Sequence, residues 1–312
     1  GQTIYFDKKN INLEKLGQKE ISNNIDEFLV SQNFELIGIR DLFYDDGYVY
    51  ISLQHKDSNG YTINIYRSEY NLKRLTFKPF FSINEYWDKY NVFSGGRLEL
   101  FDKNKILFSV GFAKNYEAPQ DKNSLLGKII SIDKLTKDFQ IESYGHRNPQ
   151  GLSYLKEKDV IINTEHGPFG GDEINLNFLY DNSQDKNYGW PISSTGKPYP
   201  NEKKIFEKNN WLTKTHKEQG FVEPLKSYSP AIGISEVVSL RKENKINLYV
   251  ASLRAGSIYI LEMSENLKKI LREERLFFKE QRIRDLKYDE ELDLFFAIFS
   301  YTPSIAVIKN LN

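Results

Sequence analysis

Three short stretches concentrate the residue types that bind ligands or move protons: Gly145-His-Arg-Asn-Pro-Gln-Gly-Leu152, Thr164-Glu-His-Gly-Pro-Phe-Gly-Gly-Asp-Glu-Ile-Asn-Leu176 and Asn187-Tyr-Gly-Trp-Pro191. They bring two histidines, an arginine, an asparagine and several carboxylates into turn-rich sequence, where loops at strand ends carry binding groups. Glycines let the backbone approach a ligand closely, and adjacent Asp172 and Glu173, with backbone carbonyls, supply the hard oxygens that calcium prefers, although not in an EF-hand loop. Each residue also has a plainer reading. Asp172 and Glu173 could cap turns, Arg147 could be an ion-pair partner, and His146 or His166 a hydrogen-bonded core histidine. Their clustering favours a ligand site. His55 and His216 lack that context and read as surface or packing residues. The mixed-sign run Lys268-Lys-Ile-Leu-Arg-Glu-Glu-Arg275 reads as a solvated face.

The elements that must position these groups are strands. Apolar and aromatic residues alternate over short runs in Tyr48–Ser52, Tyr61–Tyr66, Leu98–Phe101, Lys105–Ser109, Lys128–Ile132, Val160–Asn163, Asn247–Ala251, Ser257–Leu261, Leu294–Ile298 and Ser304–Ile308. Many short strands without intervening helices mean an all-β fold. One helix is expected near the N-terminus, over Ser22–Val30, from a polar start and helix-spaced Ile25, Phe28 and Leu29. A recurring unit of turn, strand, loop and strand suits four-stranded propeller blades, with a sandwich as the alternative. The polar stretch 193–218 reads as a loop inserted between strands of a single domain over 1–312.

Composition limits the function classes. The chain has 312 residues, with Lys+Arg 43 balancing Asp+Glu 43, so the global basic footprint of a nucleic-acid binder is missing. No apolar run approaches the ~20 residues that span a bilayer. Cysteine is absent, which excludes disulfides and thiolate chemistry but leaves the redox compartment open. The opening Gly-Gln-Thr-Ile-Tyr-Phe holds no basic segment followed by an apolar one, and Gly1 reads as a cloning remnant.

The three motifs, in this order and spacing, resemble the soluble glucose/sorbosone dehydrogenase family, the pyrroloquinoline-quinone (PQQ)-dependent aldose sugar dehydrogenases. Gly95-Gly-Arg-Leu98, Asn123–Ile129, Ala251–Gly256 and Arg282–Asp285 extend the match, which covers about residues 40 to 310. The resemblance implies a six-bladed β-propeller, with too little chain before Asp41 for all of the first blade. The stretch Gln2–Asp7 could supply one strand of it and the helical stretch could replace another part, or the sequence is trimmed there. It also implies oxidation of a sugar C1 hydroxyl to a lactone, with PQQ over the propeller channel and a periplasmic or secreted location. By position, Arg147 and Asn148 would contact the cofactor, His166 would flank it, and Arg254, Arg282 and Arg284 would hold its anionic edge. The carbonyls of Gly167 and Pro168 would bind one calcium; Asp172, Glu173 and the Tyr188 carbonyl would match a second.

One departure bears on catalysis. The family's proton-accepting histidine falls here on Phe93, and the aspartate that orients it falls on Phe112. General-base catalysis typically contributes ~10²–10⁴-fold and phenylalanine accepts no proton, so the standard reaction should be impaired. His166 is the remaining candidate base. The alternative is a non-catalytic propeller that binds carbohydrate or a protein partner.

Overall fold

The structure is a computed structural model that describes residues 21–181, 185–309 and 311. The expected strand over Gln2–Asp7 lies outside the described residues. Two compact units divide the chain, one over 21–231 and one beginning at Ile232.

The first unit opens with β1 (Ser22–Asn23) and α1 (Ile25–Gln32). The helix starts three residues later than the sequence suggests because Asn24 is occupied at its entrance. The Asn24 side chain donates to the Phe77 carbonyl at 3.1 Å and accepts from the Phe77 N–H at 2.6 Å. This pins α1 so that Leu29 is buried against Val49, Ile51, Leu53 and Tyr66. Strands β2 (Glu35–Asp45), β3 (Tyr48–Asp57) and β4 (Gly60–Glu69) follow, then β5 (Arg74–Leu75), which pairs with β1, and β6 (Lys78–Ser82). The next are β7 (Gly95–Leu100), β8 (Lys105–Val110), β9 (Lys128–Asp133) and β10 (Phe139–Tyr144). The third group is β11 (Pro149–Leu155), β12 (Val160–Glu165) and β13 (Asp172–Phe178). After it, α2 (Lys203–Asn209) and α3 (His216–Gln219) precede β14 (Lys226–Tyr228). Three four-stranded meanders result: β2-β3-β4-β6, β10-β9-β8-β7 and β11-β12-β13-β14.

The alternating pattern explains how these sheets stack. In β8, Ile106, Phe108 and Val110 pack with Tyr50, Ile63, Ile65 and Phe80 of the first sheet, whereas Leu107 points the other way, onto Leu152 and Ile161 of the third. A strand apolar on both faces belongs between two neighbours, and each such side chain contributes about 1.5–3 kcal/mol on burial.

The second unit holds β15 (Ile234–Lys242), β16 (Lys245–Ser252), β17 (Ser257–Met263) and β18 (Ile270–Phe277) in one sheet, and β19 (Ile283–Asp289), β20 (Leu294–Phe299) and β21 (Ser304–Lys309) in another. Tyr249, Ala251 and Ile258 pack with Ile283, Leu286, Phe295 and Ala297 between them. The Lys268–Arg275 run falls mostly on β18, whose Arg272, Glu273 and Arg275 are exposed, as a charged edge strand should be.

The fold is an all-β propeller, but the described residues form five blade sheets, not the six expected. Among the described residues too little chain forms strands for a sixth. A four-stranded blade takes about 40–45 residues, and the described residues before Glu35 supply only a two-residue strand and a helix. The stretch 193–218 adds two short helices rather than strands, between β13 and β14 of one sheet.

Candidate functional site

Sheet register brings the first two motifs together. Pro149 at the start of β11 lies opposite Glu165 at the end of β12, and Glu165 lies opposite Glu173 on β13. The third motif joins by backbone pairing: Tyr188 N–H donates to the Tyr144 carbonyl at 2.8 Å and Trp190 N–H to the Gly145 carbonyl at 2.9 Å. Gly145 has φ +75°, and a Cβ there would overlap the Asn187 side chain, so glycine is required where the two motifs cross. Gly95-Gly-Arg-Leu98 is tied in as well. Gly95 N–H donates to Asn148 Oδ1 at 3.3 Å, and Arg97 pairs with Asp41 at 3.1 Å and donates from Nε to the Gln150 carbonyl at 2.7 Å.

His146 takes the plainer of its two readings. Fully buried, it bonds Ser143 Oγ at 2.8 Å and Glu165 Oε2 at 2.9 Å and stacks on Tyr188 at 4.7 Å. Glu165 also accepts from the Arg147 backbone N–H. His55 and His216 are both packing residues, the second bonded to the Tyr188 carbonyl at 3.1 Å and the Ser193 hydroxyl at 3.3 Å.

Arg147 is the exceptional group. It is 2% exposed, and its guanidinium makes one hydrogen bond, from Nη1 to the His166 carbonyl at 2.9 Å. Its Nε and Nη2, also buried, have no partner among the described residues. Around the guanidinium carbon stand the rings of Phe93 at 4.7 Å, Trp190 at 5.1 Å, Phe112 at 5.6 Å and Tyr199 at 5.9 Å. Cation–π attraction compensates part of the lost hydration. Burial still pulls this group below the ordinary arginine value, opposed by the charges of Glu202 and Glu165 and by Tyr199 and Tyr116.

The two positions flagged for the base and its orienter adjoin. The rings of Phe93 and Phe112 lie 5.4 Å apart, and Phe112 belongs to an aromatic cluster with Trp190, Phe206, Tyr116 and Trp211. A Cβ on Gly111 would overlap the Phe93 carbonyl, so the backbone at the β8 end holds Phe93 in place. His166 is half-buried, its N–H donating to the Asn148 carbonyl at 3.1 Å.

Arg254, Arg282 and Arg284 belong to the other unit. Arg254 follows β16 and is exposed; its N–H donates to the Ile232 carbonyl at 3.0 Å. Arg282 precedes β19, its guanidinium 5.7 Å from the Tyr301 ring, and Arg284 is exposed on β19.

The metal candidates are buried but engaged. Glu173 Oε1 accepts from Thr195 N–H at 3.1 Å and Thr195 Oγ at 2.8 Å, and desolvation, with Glu165 nearby, pushes its carboxyl up to about 7. The Pro168 carbonyl accepts from Gly171 N–H at 3.1 Å. Among the described residues no group of three His, Asp or Glu side chains could hold a metal ion.

Sequence reasoning missed Tyr116, Tyr199, Glu202, Phe206 and Trp211. The last four lie in the stretch read as polar loop; the available signal was the aromatic residues Tyr199, Phe206 and Trp211 within it, of which Phe206 is the buried residue of α2.

Residues 36–300 match the family described as Glucose / Sorbosone dehydrogenase. An uncharacterized protein of Synechocystis is 26% identical over 279 residues, 80% of this chain and 64% of its own length. The aldose sugar dehydrogenase YliI of Escherichia coli is 26% identical over 211 residues, 62% of this chain and 53% of its own. This chain therefore matches less than two thirds of the length of these curated relatives. A crystal structure of a glucose dehydrogenase superposes with a TM-score of 0.73 at 21% identity, over 88% of this chain and 83% of the other. The PQQ-bound aldose sugar dehydrogenase of Streptomyces coelicolor gives 0.61 at 20% identity, over 86% and 74%. At these identities the likeness is one of fold.

Proposed function

The chain belongs to the glucose / sorbosone dehydrogenase family, and from that premise we propose that it is a quinone-binding propeller of the sugar-oxidising kind that lacks the usual proton acceptor. The observation that carries this reading is the Arg147 guanidinium, buried with two unpartnered N–H groups. A charge left this way is costly unless an acceptor completes it. Nε and Nη2 form the side-on edge by which arginine grips two oxygens at once. That edge fits a carboxylate or carbonyl pair of PQQ, with Asn148 and His166 of the same unit flanking it.

When bound, the quinone supplies the two-electron acceptor. The chain's residues bind and orient: Arg147 holds oxygens, and the rings of Phe93, Phe112 and Trp190 exclude water from that contact. Neither phenylalanine can take the substrate proton, which leaves His166 as candidate base and makes slow sugar oxidation the expectation. Calcium at the Gly167 and Pro168 carbonyls belongs to the same reading. In both sets an ion would share its oxygens with hydrogen bonds already made, from Gly171 to the Pro168 carbonyl in the first and from Thr195 to Glu173 and His216 to the Tyr188 carbonyl in the second. An exported location goes with the reading, checked by fractionation of the native host.

The test is titration of PQQ with calcium, followed by absorbance, and then dye reduction over a panel of aldoses. A saturable spectral change with low turnover is expected. A spectrum unmoved by added protein overturns the quinone assignment. It would favour the second reading, a non-catalytic carbohydrate binder, which the filled base position at Phe93 and Phe112 supports.

A further inference from the structure

We propose that a cavity shared by the first and second sheets is an anion site, in which Arg67 and Lys137 take the phosphate group of a small phosphate monoester. It is independent of the quinone reading and uses none of its residues.

Arg67 stands on β4, directly opposite Tyr50 of β3 on one side and Lys78 of β6 on the other. Like charges at facing positions repel. Glu69, two residues on along the same strand face, is exposed and makes no ion pair among the described residues. The guanidinium carbon of Arg67 lies 4.4 Å from the Tyr48 ring centre and 5.1 Å from that of Phe80, aromatic contacts that hold an arginine in place without neutralising it. A second cation reaches the same ring. Lys137, in the turn between β9 and β10, has its Nζ 4.0 Å from the Phe80 centre and donates to the Lys134 carbonyl. Its backbone holds φ +69°, where glycine would be the unstrained choice. Burial and then repulsion from Arg67 pull this lysine below its ordinary value, opposed by Asp133.

Both cations line one cavity of about 670 Å³, a size typical of small-molecule sites. Four cations and three carboxylates surround it, Arg67, Lys103, Lys134 and Lys137 against Asp45, Asp46 and Asp133. Lys134 is paired with Asp45 at 2.6 Å. Asp133 accepts from the N–H groups of Leu135 and Thr136, each at 2.8 Å, so its carboxylate closes its own turn, and Asp46 is exposed. Arg67, Lys103 and Lys137 have no ion pair among the described residues. The excess calls for an anion. Its donors come from three segments, a guanidinium fork on β4 and ammonium groups in the turns after β7 and β9, which suits the three oxygens of a phosphate better than the flat pair of a carboxylate. A phosphate also brings up to two negative charges to three unpaired cations. The cavity is far larger than a phosphate group, and Tyr48 and Leu135 give its remainder an apolar wall for the ester. Those turns lie at the end of the second sheet opposite Gly95, which bonds Asn148, so this site is separate from Arg147.

The experiment is calorimetric titration of the full chain, at low and constant ionic strength so that screening is equal throughout, with phenyl phosphate, inorganic phosphate or benzoate. Phenyl phosphate should bind saturably, inorganic phosphate more weakly, and benzoate at least tenfold more weakly than phenyl phosphate. Arg67→Lys, which keeps the charge and removes the fork, and Lys137→Gln should each weaken phenyl phosphate at least tenfold, while Arg147→Met should leave it unchanged. Melting curves check folding, and Lys137→Gln, in a surface turn, carries the test if Arg67→Lys does not fold. No saturable heat with phenyl phosphate overturns the site. So does binding indifferent to both Arg67→Lys and Lys137→Gln, or abolished by Arg147→Met. Inorganic phosphate binding as tightly as phenyl phosphate overturns the ester assignment, and benzoate doing so overturns the phosphate class.

Discussion

The ring of Phe93 lies 4.7 Å from the guanidinium carbon of Arg147, with Lys114 Nζ 5.4 Å from the same ring. An aromatic face therefore meets two cations at the position the family resemblance assigns to a proton acceptor. A histidine there would contact the same arginine and could take a proton, which the phenyl ring cannot. Phe93→His is expected to raise PQQ-dependent dye reduction with aldoses at least tenfold, within the ~10²–10⁴-fold range of general-base catalysis. Steady-state rates of the reconstituted variant measure it, and an unchanged rate would place the proton acceptor elsewhere.

Arg147 should separate binding from stability. Methionine fills a similar volume without a charge to desolvate, and replacing buried charges by apolar side chains is often neutral or stabilising by about 1–4 kcal/mol. Arg147→Met is expected to abolish the PQQ spectral change while urea unfolding moves to equal or higher midpoints. A midpoint well below that of the parent would mean that the arginine is chiefly structural.

His55 should make the protein acid-sensitive. It is buried, stacked on Phe34 at 4.3 Å and bonded to Tyr66 at 3.0 Å and Asn64 at 3.2 Å, and burial pulls it down to about 4 from an ordinary 6.5. The folded chain thus prefers neutral His55, so its contribution is fully present above pH 6.5 and is lost as the pH falls through about 4. The loss amounts to about 3 kcal/mol. Urea titrations between pH 7 and 4 should show this slope, and His55→Gln should flatten it. Equal slopes in both proteins would assign the acid sensitivity to other groups.

Phe206 should hold the inserted segment. It is 1% exposed and packs against Tyr116, Trp190 and Trp211 at 5.5–5.6 Å. Phe206→Ala is expected to cost about 3–5 kcal/mol and to raise protease cleavage within 193–218. Cleavage at the parent rate would show that the segment is anchored without it.

Much of the fold was legible in the sequence because strand formation is local. In Lys105–Ser109 the short run Ile106-Leu-Phe108 marks a strand, and its apolar residues on both faces are those of a strand covered on each side. Blade number was not legible in the same way. It depends on how much chain goes into strands, and neither Asn24, whose side chain pairs with Phe77 to start α1, nor Phe206, which turns a polar loop into an anchored helix, announces this by periodicity. At the site, one motif carries His146, Arg147 and Asn148 alike, and only the structure separates His146, a hydrogen-bonded core histidine, from Arg147, buried with two unpartnered N–H groups.

By itself the sequence determined the family, the all-β class and the absence of a proton-accepting side chain at position 93, since motif order, alternation and residue identity are properties of the chain read locally. The tertiary structure alone decided that Arg147 is buried with an unpartnered edge, enclosed by Phe93, Phe112, Trp190 and Tyr199, and that Glu202 faces the same enclosure. Burial and electrostatic environment are sums over neighbours, and here those neighbours come from segments as far apart as residues 93 and 202, brought together only when the sheets close their register.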